Sequence, residues 1–371
     1  SNEPSSADGQ ALGSASAEWS DLFLADGGII KFGNDQDTLL THTDGTGLTL
    51  NSTNKLCFGD AASYIHQSSD GVLKIDGEAT VDIDATTAVT IAAANVPVTV
   101  GGIPFYYGDT GSIYTHNVSG TDDTAQYNTA YGLTALDAIT TGDNNTAVGH
   151  NAGGAMTTGG NNVMIGKDAV GSGVMTGSFN VLIGKSAGTA MTSGAGVVAI
   201  GYNAGLANTT GPDNIFIGYD AGKVNTTGSA NTVIGDQAYI NADAEGNNLA
   251  IGKDALGGTI AGAEQNVMVG GYAGDAITSG DANCSVGYLS SSSITTGASN
   301  TSVGTSTLHN LTTGNYNVGI GNSIGVSAVD QEYGIGLGYS VTVAANDFSF
   351  GKASNVVTND FDADANWSRS S

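Results

Sequence analysis

Basic residues are almost missing from this chain. Nine lysines and arginines stand against 35 aspartates and glutamates in 371 residues, a formal net charge of −26, and Arg369 is the only arginine. So acidic a surface repels the phosphates of nucleic acid and the anionic face of a bilayer, so neither is an expected partner. Charged residues of both signs reach only 12% of the chain, against about a quarter in ordinary globular proteins. The imbalance favours solubility and suits a salty medium, where screening shortens the range of self-repulsion. Long apolar runs are lacking too. The nearest, residues 88–105, is interrupted by Thr90, Asn95, Pro97 and Pro104, so membrane insertion is not expected. There is no secretory leader, and the first residue is Ser1 rather than Met. The chain therefore reads as part of a longer or processed product.

Chemistry-bearing residues are equally sparse. The two cysteines, Cys57 and Cys284, form no disulfide framework and no metal-binding spacing. The five histidines, His42, His66, His116, His150 and His309, fall in no metal or triad pattern. Asp360, Asp362, Asp364 and Asn366 alternate like the start of a Ca²⁺ loop, but Ala365 stands where glycine is needed and no glutamate closes the loop. A solvated acidic tail is the better reading. No catalytic constellation rises above chance, so the expectation is a non-enzyme without metal or cofactor.

What the chain has is glycine, 57 of them, at a fixed period. The anchors are Gly132, Gly149, Gly166, Gly184, Gly201, Gly218, Gly235, Gly252, Gly270, Gly287, Gly304, Gly321 and Gly338; ten intervals are 17 residues and two are 18. A period this short means one small structural unit stacked many times. Four residues before the anchor stands asparagine in eleven of thirteen copies, including Asn145, Asn162, Asn180, Asn214, Asn231, Asn248, Asn266, Asn283, Asn300 and Asn317; Val197 and Gly334 are the exceptions. Positions three and one before the anchor are apolar or β-branched, as in Val163 and Ile165 or Ile215 and Ile217. Residues two apart share a face of a strand. The unit therefore reads as Asn, inward, outward, inward, Gly, with Cys284 buried in the first inward position as a small hydrophobe.

Alanine fills the third position after the anchor in nine copies, a second glycine often follows, as in Gly153, Gly188 and Gly222, and a Thr-Gly or Ser-Gly pair closes the coil. Small residues permit close backbone approach, and glycine supplies the positive φ of tight corners. A 17-residue coil cannot bury its own apolar face, but stacked coils hydrogen-bonded about 4.8 Å apart can. Stacking also aligns the asparagines into an amide ladder. Seventeen residues leave no room for a helix pair, and Ile and Val at fixed offsets argue against intrinsic disorder.

The expected fold is all-β, a strand-rich shaft leading into a β-solenoid. Residues 1–20 read as a linker or junction, and 21–100 as the shaft. Lys31-Phe32-Gly33 is echoed there by Cys57-Phe58-Gly59 at a spacing of 26, and Val81, Ile83, Val89 and Ile91 alternate as strands do. Residues 101–127, with Phe105, Tyr106 and Tyr107, form an aromatic collar, 128–340 the solenoid, and 341–371 a cap and acidic tail. The residue after each anchor points outward and includes Tyr202, Tyr219, Tyr288 and Tyr339. These side chains read first as shields for the corner backbone, and second as a receptor-contact stripe whose ring faces could hold sugars.

The segments DLFLADGGIIKFGNDQD and LCFGDAASYIHQSSDGVLKIDGEATVDIDA resemble shaft segments of tail fibres from tailed bacteriophages, marine ones in particular. NNTAVGHNAG, NVMIGKDA, NIFIGYDAG and NTVIGDQA look like the distal repeats of such fibres. They are also similar to the head repeats of trimeric autotransporter adhesins, whose shorter Ser-Val-Ala-Ile-Gly motif builds a left-handed β-roll in each of three chains. The resemblance spans roughly residues 20–350. It implies a homotrimeric fibre on the virion, joined to other tail proteins, that attaches to a host receptor, either a saccharide or an outer-membrane component. A cellular trimeric adhesin or extracellular filament subunit is the alternative. A polysaccharide depolymerase is third; it needs paired carboxylates in a groove, and Asp220 with Asp236 read as too solvated for that role. The final residues 365–371, ANWSRSS, resemble the stretch before a self-cleaving chaperone domain of the endosialidase type, which implies Ser371 as a processed terminus.

Overall fold

The computed structural model describes Ser16 and residues 28–32, 38–43, 47–50, 56–58, 60–69, 72–76, 98–100, 103–107, 112–115 and 124–360. Among the described residues the secondary structure is strand and turn only. The chain divides into two units, residues 1–91 and 92–371.

The first unit holds two antiparallel meanders. Ile29–Phe32, Thr38–Thr43 and Gly47–Leu50 make one, and Leu56–Phe58, Asp60–Ser69 and Val72–Asp76 the other. Phe32 and Phe58 end the first strand of each, so the sequence echo is a meander repeated. Val81, Ile83, Val89 and Ile91 lie outside the described residues.

The second unit opens on a hairpin, Val98–Val100 with Ile103–Tyr107, which hands over to Ile113–Tyr114. From there every coil contributes one short strand to a ladder, paired in parallel with the next, and the last coils add a second parallel pair, Gly325–Val326 with Thr342–Val343. The ladder runs through Thr129–Tyr131, Thr146–Val148 and Val163–Ile165 to Ile335–Tyr339 and Asp347–Lys352. Asn355–Asp360 turns back antiparallel and ends it. The ladder thus extends past residues 128–340 at both ends, and its last row is reached by a shortened coil between Gly338 and Gly351. Register is strict: Thr146 faces Val163, which faces Val181, which faces Val198. The two 18-residue coils keep that register, so their extra residue is taken up in the loops and not in the strand.

Each coil bends at repeated left-handed residues. One precedes the asparagine (Asn144, φ 59°; Ala230, φ 57°), and one lies two after the anchor (Asn151, φ 56°; Asp220, φ 52°). The anchor has φ between 126° and 147° among Gly132 to Gly338, a region almost closed to other residues. A Cβ on Gly235 would also sit 2.3 Å from the Gly252 carbonyl oxygen. The period is therefore glycine for two independent reasons.

The strand faces are the reverse of the sequence expectation. The middle residue of each strand is fully buried: Met164, Leu182, Phe216, Val233 and Met268 fill the coil interior, and Ser285 and Ser302 do so in later coils. Its neighbours, three and one before the anchor, face outward and stay partly or well exposed, as in Val163 with Ile165 or Thr301 with Val303. Cys284 sits on that outward side, half-buried and free, and is not an interior hydrophobe. The reason is alternation. The asparagine is buried in the ladder, so the residue two later shares its side of the strand. The core is thin but real, completed by the alanines after the anchors and by Leu136, Ile139, Met156, Met191, Ile277 and Leu311.

Candidate functional site

The asparagine column is a structural spine. Asn145, Asn162, Asn180, Asn214, Asn231, Asn248, Asn266, Asn283, Asn300 and Asn317 are all buried. Asn283 shows the pattern. Its backbone N–H donates to Asn266 Oδ1 (3.0 Å), and its Nδ2 donates to that same oxygen (3.2 Å) and to the Gly297 carbonyl (2.8 Å). Its own Oδ1 accepts the N–H of Asn300 (3.0 Å). Every lone pair and proton is directed along the stack, which leaves this column nothing to offer a ligand.

Where Val197 replaces the asparagine, the bond to the Gly211 carbonyl is made by Asn208 instead (3.0 Å), and Asn208 Oδ1 accepts the Gly211 N–H (3.1 Å). Asn208 occupies the interior position held by Met156, Met191 or Ile277 elsewhere. Asn225 holds the same interior position in the next coil and bonds the Gly228 carbonyl (3.1 Å), although Asn214 already does so from the ladder (2.7 Å). Asn214 also donates to the Gly211 carbonyl (3.2 Å), so the interior amide is shared by two adjacent coils.

Outward, four columns run side by side: the residue before the asparagine, the two apolar strand positions, and the residue after the anchor. The two central columns contain no charged residue from Thr129 and Tyr131 to Ile335 and Leu337, in a chain of net charge −26. At a strand spacing of about 4.8 Å, thirteen rows make a strip about 60 Å long, and six residue steps make it about 20 Å wide. The two outer columns include Lys167, Lys185, Asp213, Asp236 and Lys253. The charge-free part is therefore the central pair, two residue steps wide and about 400 Å² in area, at the upper end of the apolar patches of a few hundred Å² that isolated proteins carry.

Tyr202, Tyr219, Tyr288 and Tyr339 lie exposed in the column after the anchor. Tyr202 and Tyr219 stack with centroids 5.3 Å apart and planes 13° from parallel, while the Lys185 ammonium lies 5.3 Å from the Tyr202 centroid. One face of Tyr202 is thus taken by Tyr219 and the other by Lys185. Tyr288 packs edge-on against Tyr272, centroids 6.0 Å apart. The opposite flank carries a second aromatic column with Tyr127, Phe179, Tyr316 and Tyr333, all exposed; Tyr316 and Tyr333 stack 5.2 Å apart. Sequence reasoning passed over this flank and assigned the two central columns to the interior. The buried asparagine was the signal that marks them as outward.

Some acidic groups are individually bonded. Asp220 is buried, not solvated as its sequence context suggested: it accepts from Asn203 Nδ2 (2.9 Å) and pairs with Lys223 (3.0 Å). That bond holds the Lys223 ammonium pKa above its ordinary value. The hydrogen bond from Asn151, assisted by Lys167, lowers the Asp168 pKa. Burial raises those of Asp275 and Asp347, the latter with help from the facing Asp360. Burial also pushes the Tyr239 phenol upward, against a bond from Asn248. Among the described residues no group of three or more His, Cys, Asp or Glu is placed to hold a metal ion, and no helix is long and apolar enough to cross a membrane. Residues 361–371, including Asp362, Asp364 and Ser371, lie outside the described residues.

Comparison of the chain with protein-family models, curated proteins and solved structures finds no match in any of the three.

Proposed function

We propose that this chain is a structural and adhesive fibre subunit, a homotrimeric tail fibre of a bacteriophage that attaches the virion to a host-cell surface. The observation that carries this reading is the uncharged outward face, apolar in row after row of an otherwise strongly acidic chain. A charge-free face repeated down a stack of identical coils suits burial against other copies of the chain. A solenoid of stacked coils suits reach and rigidity and has no need of a reaction site. The exposed tyrosines beside the face, Tyr202, Tyr219, Tyr288 and Tyr339, are the proposed receptor contacts, toward a surface saccharide or an outer-membrane component. Joining to other tail proteins belongs to the same proposal.

The test is adsorption. Fluorescently labelled protein is titrated onto a panel of Gram-negative cells and onto vesicles bearing their extracted lipopolysaccharide. Saturable binding to at least one member, reduced when surface sugars are oxidised with periodate, is the expected result. An assembled protein that binds none of the panel contradicts attachment and leaves a purely structural filament.

A further inference from the structure

We infer that the coil interior at Ser285 and Ser291 is a binding site for one ordered water molecule, a polar point in a core that is otherwise mostly apolar. Five hydroxyl side chains, Ser285, Ser290, Ser291, Ser302 and Thr307, are fully buried in two consecutive coils. Elsewhere the middle strand position holds Met164, Leu182, Phe216 or Met268, and the third position after the anchor holds alanine, as in Ala255 and Ala273. The corner beyond it, where Ser291 stands, holds Tyr239 or Leu256 in earlier coils.

Each hydroxyl carries one proton and two lone pairs. Ser302 gives its proton to the Thr307 carbonyl (2.8 Å), and Thr307 gives its own to the Gly321 carbonyl (2.9 Å). The close contact between the Ser290 and Ser302 hydroxyls therefore uses the Ser290 proton, and Ser290 Oγ also lies 3.1 Å from the Ser302 carbonyl oxygen. Ser290 is left with lone pairs only. Among the described residues, Ser285 Oγ and Ser291 Oγ meet no hydrogen-bond partner, although both are fully buried. Two unpaired hydroxyls in one coil are costly, and a shared water removes both penalties. Ser285 faces Ser302 in register and Ser291 follows Ser290 directly, so the free hydroxyls and the Ser290 lone pairs border one site. The large neighbours lean elsewhere. Met268 fills its own coil, since a Cβ on Gly274 would lie 2.5 Å from its Sδ, and Leu308 reaches toward the next, where a Cβ on Gly319 would lie 2.9 Å from its Cγ. None of the buried side chains in these two coils is charged, so the ligand is neutral. A molecule of that size that both donates and accepts, with about three hydrogen bonds, is water.

The experiment pairs a crystal structure of the whole chain at atomic resolution with urea melts of Ser285→Ala and Ser291→Ala. Alanine already stands at the Ser285 position in other coils, as Ala147, Ala199 and Ala250, so the coil fold tolerates it. The expected result is a density peak within hydrogen-bonding distance of both Oγ atoms, lost when both serines are replaced, and a urea midpoint that falls in each single variant. Hydroxyls that are simply unpaired predict the opposite sign, because removing one relieves its desolvation. A site without that peak, or a midpoint that rises or stays level in either variant, overturns the inference. Neither measurement depends on host attachment or on how copies associate.

Discussion

One interruption shows how each position of a coil is coupled to the stack. Val197 breaks the asparagine ladder, and Asn208 bonds the Gly211 carbonyl that a ladder amide would reach, from an interior position that is apolar in most coils and held by Asn225 in the next. Asn208→Ile alone should therefore destabilise the solenoid by about 1–2 kcal/mol, since it leaves the Gly211 N–H without its buried acceptor. Adding Val197→Asn should return part of that loss, because its amide can reach the Gly211 carbonyl and accept the Asn214 N–H as the other ladder amides do. A urea-melt double-mutant cycle measures the coupling; strict additivity would show that the two sites are independent. The asparagine and glycine columns were legible in the sequence because each has a unique chemical solution. The sidedness of the strand was misread because Val and Ile tolerate an interior and a covered exterior equally. Buried Asn283 two residues before Ser285 fixes the side, but only once the asparagine itself is known to be interior.

At the scale of the coil, volume is conserved between elements and not within them. Gly205, Gly222 and Gly274 share a left-handed corner position with Tyr239, Leu256 and Leu308, all with φ between 51° and 61°. Glycine is therefore not demanded there by the backbone. It is demanded by the neighbour: a Cβ on Gly222 would fall 2.2 Å from the Phe216 ring. Gly222→Ala should cost about 1–3 kcal/mol with Phe216 in place, and far less in a Phe216→Ala background, as read by hydrogen exchange in those coils. An equal cost in both would put the strain in the backbone instead. The closing hairpin makes a second, pH-dependent prediction. Asp347 pairs across it with Asp360, and burial together with that charge raises the Asp347 pKa. The folded form then holds its proton more tightly than the unfolded chain, so the hairpin loses stability as pH rises from the ordinary carboxylate value through the raised one. Asp347→Asn should increase amide protection of Asn355–Asp360 at pH 7 and change little at about pH 3, where the carboxyl is already neutral. Greater protection lost than gained at pH 7 would contradict this sign.

For the whole molecule, charge and hydrophobicity are segregated. In the rows from Gly132 to Gly338 the acids lie at corners and loops while the two central strand columns are neutral, so association through that face brings strongly negative bodies together at a charge-free joint. Repulsion between them is screened by salt and apolar contact is not, so the assembly should tighten as ionic strength rises from about 0.02 to 0.5 M. An interface held by salt bridges would weaken over the same range, and sedimentation at the two salt levels separates the cases. The repeat architecture was visible from period alone, whereas the joint was not, because a sequence records which positions are apolar but not whether a chain's own core or another copy covers them. The most direct measurement is the native mass by light scattering of the wild-type chain and of Ile217→Asp combined with Ile234→Asp, two changes on the outward face that leave Phe216 and Val233 in the core. The account predicts three chains for the wild type and one for the variant, with unchanged circular dichroism. A wild type that remains a single chain, or a variant that stays assembled, contradicts it.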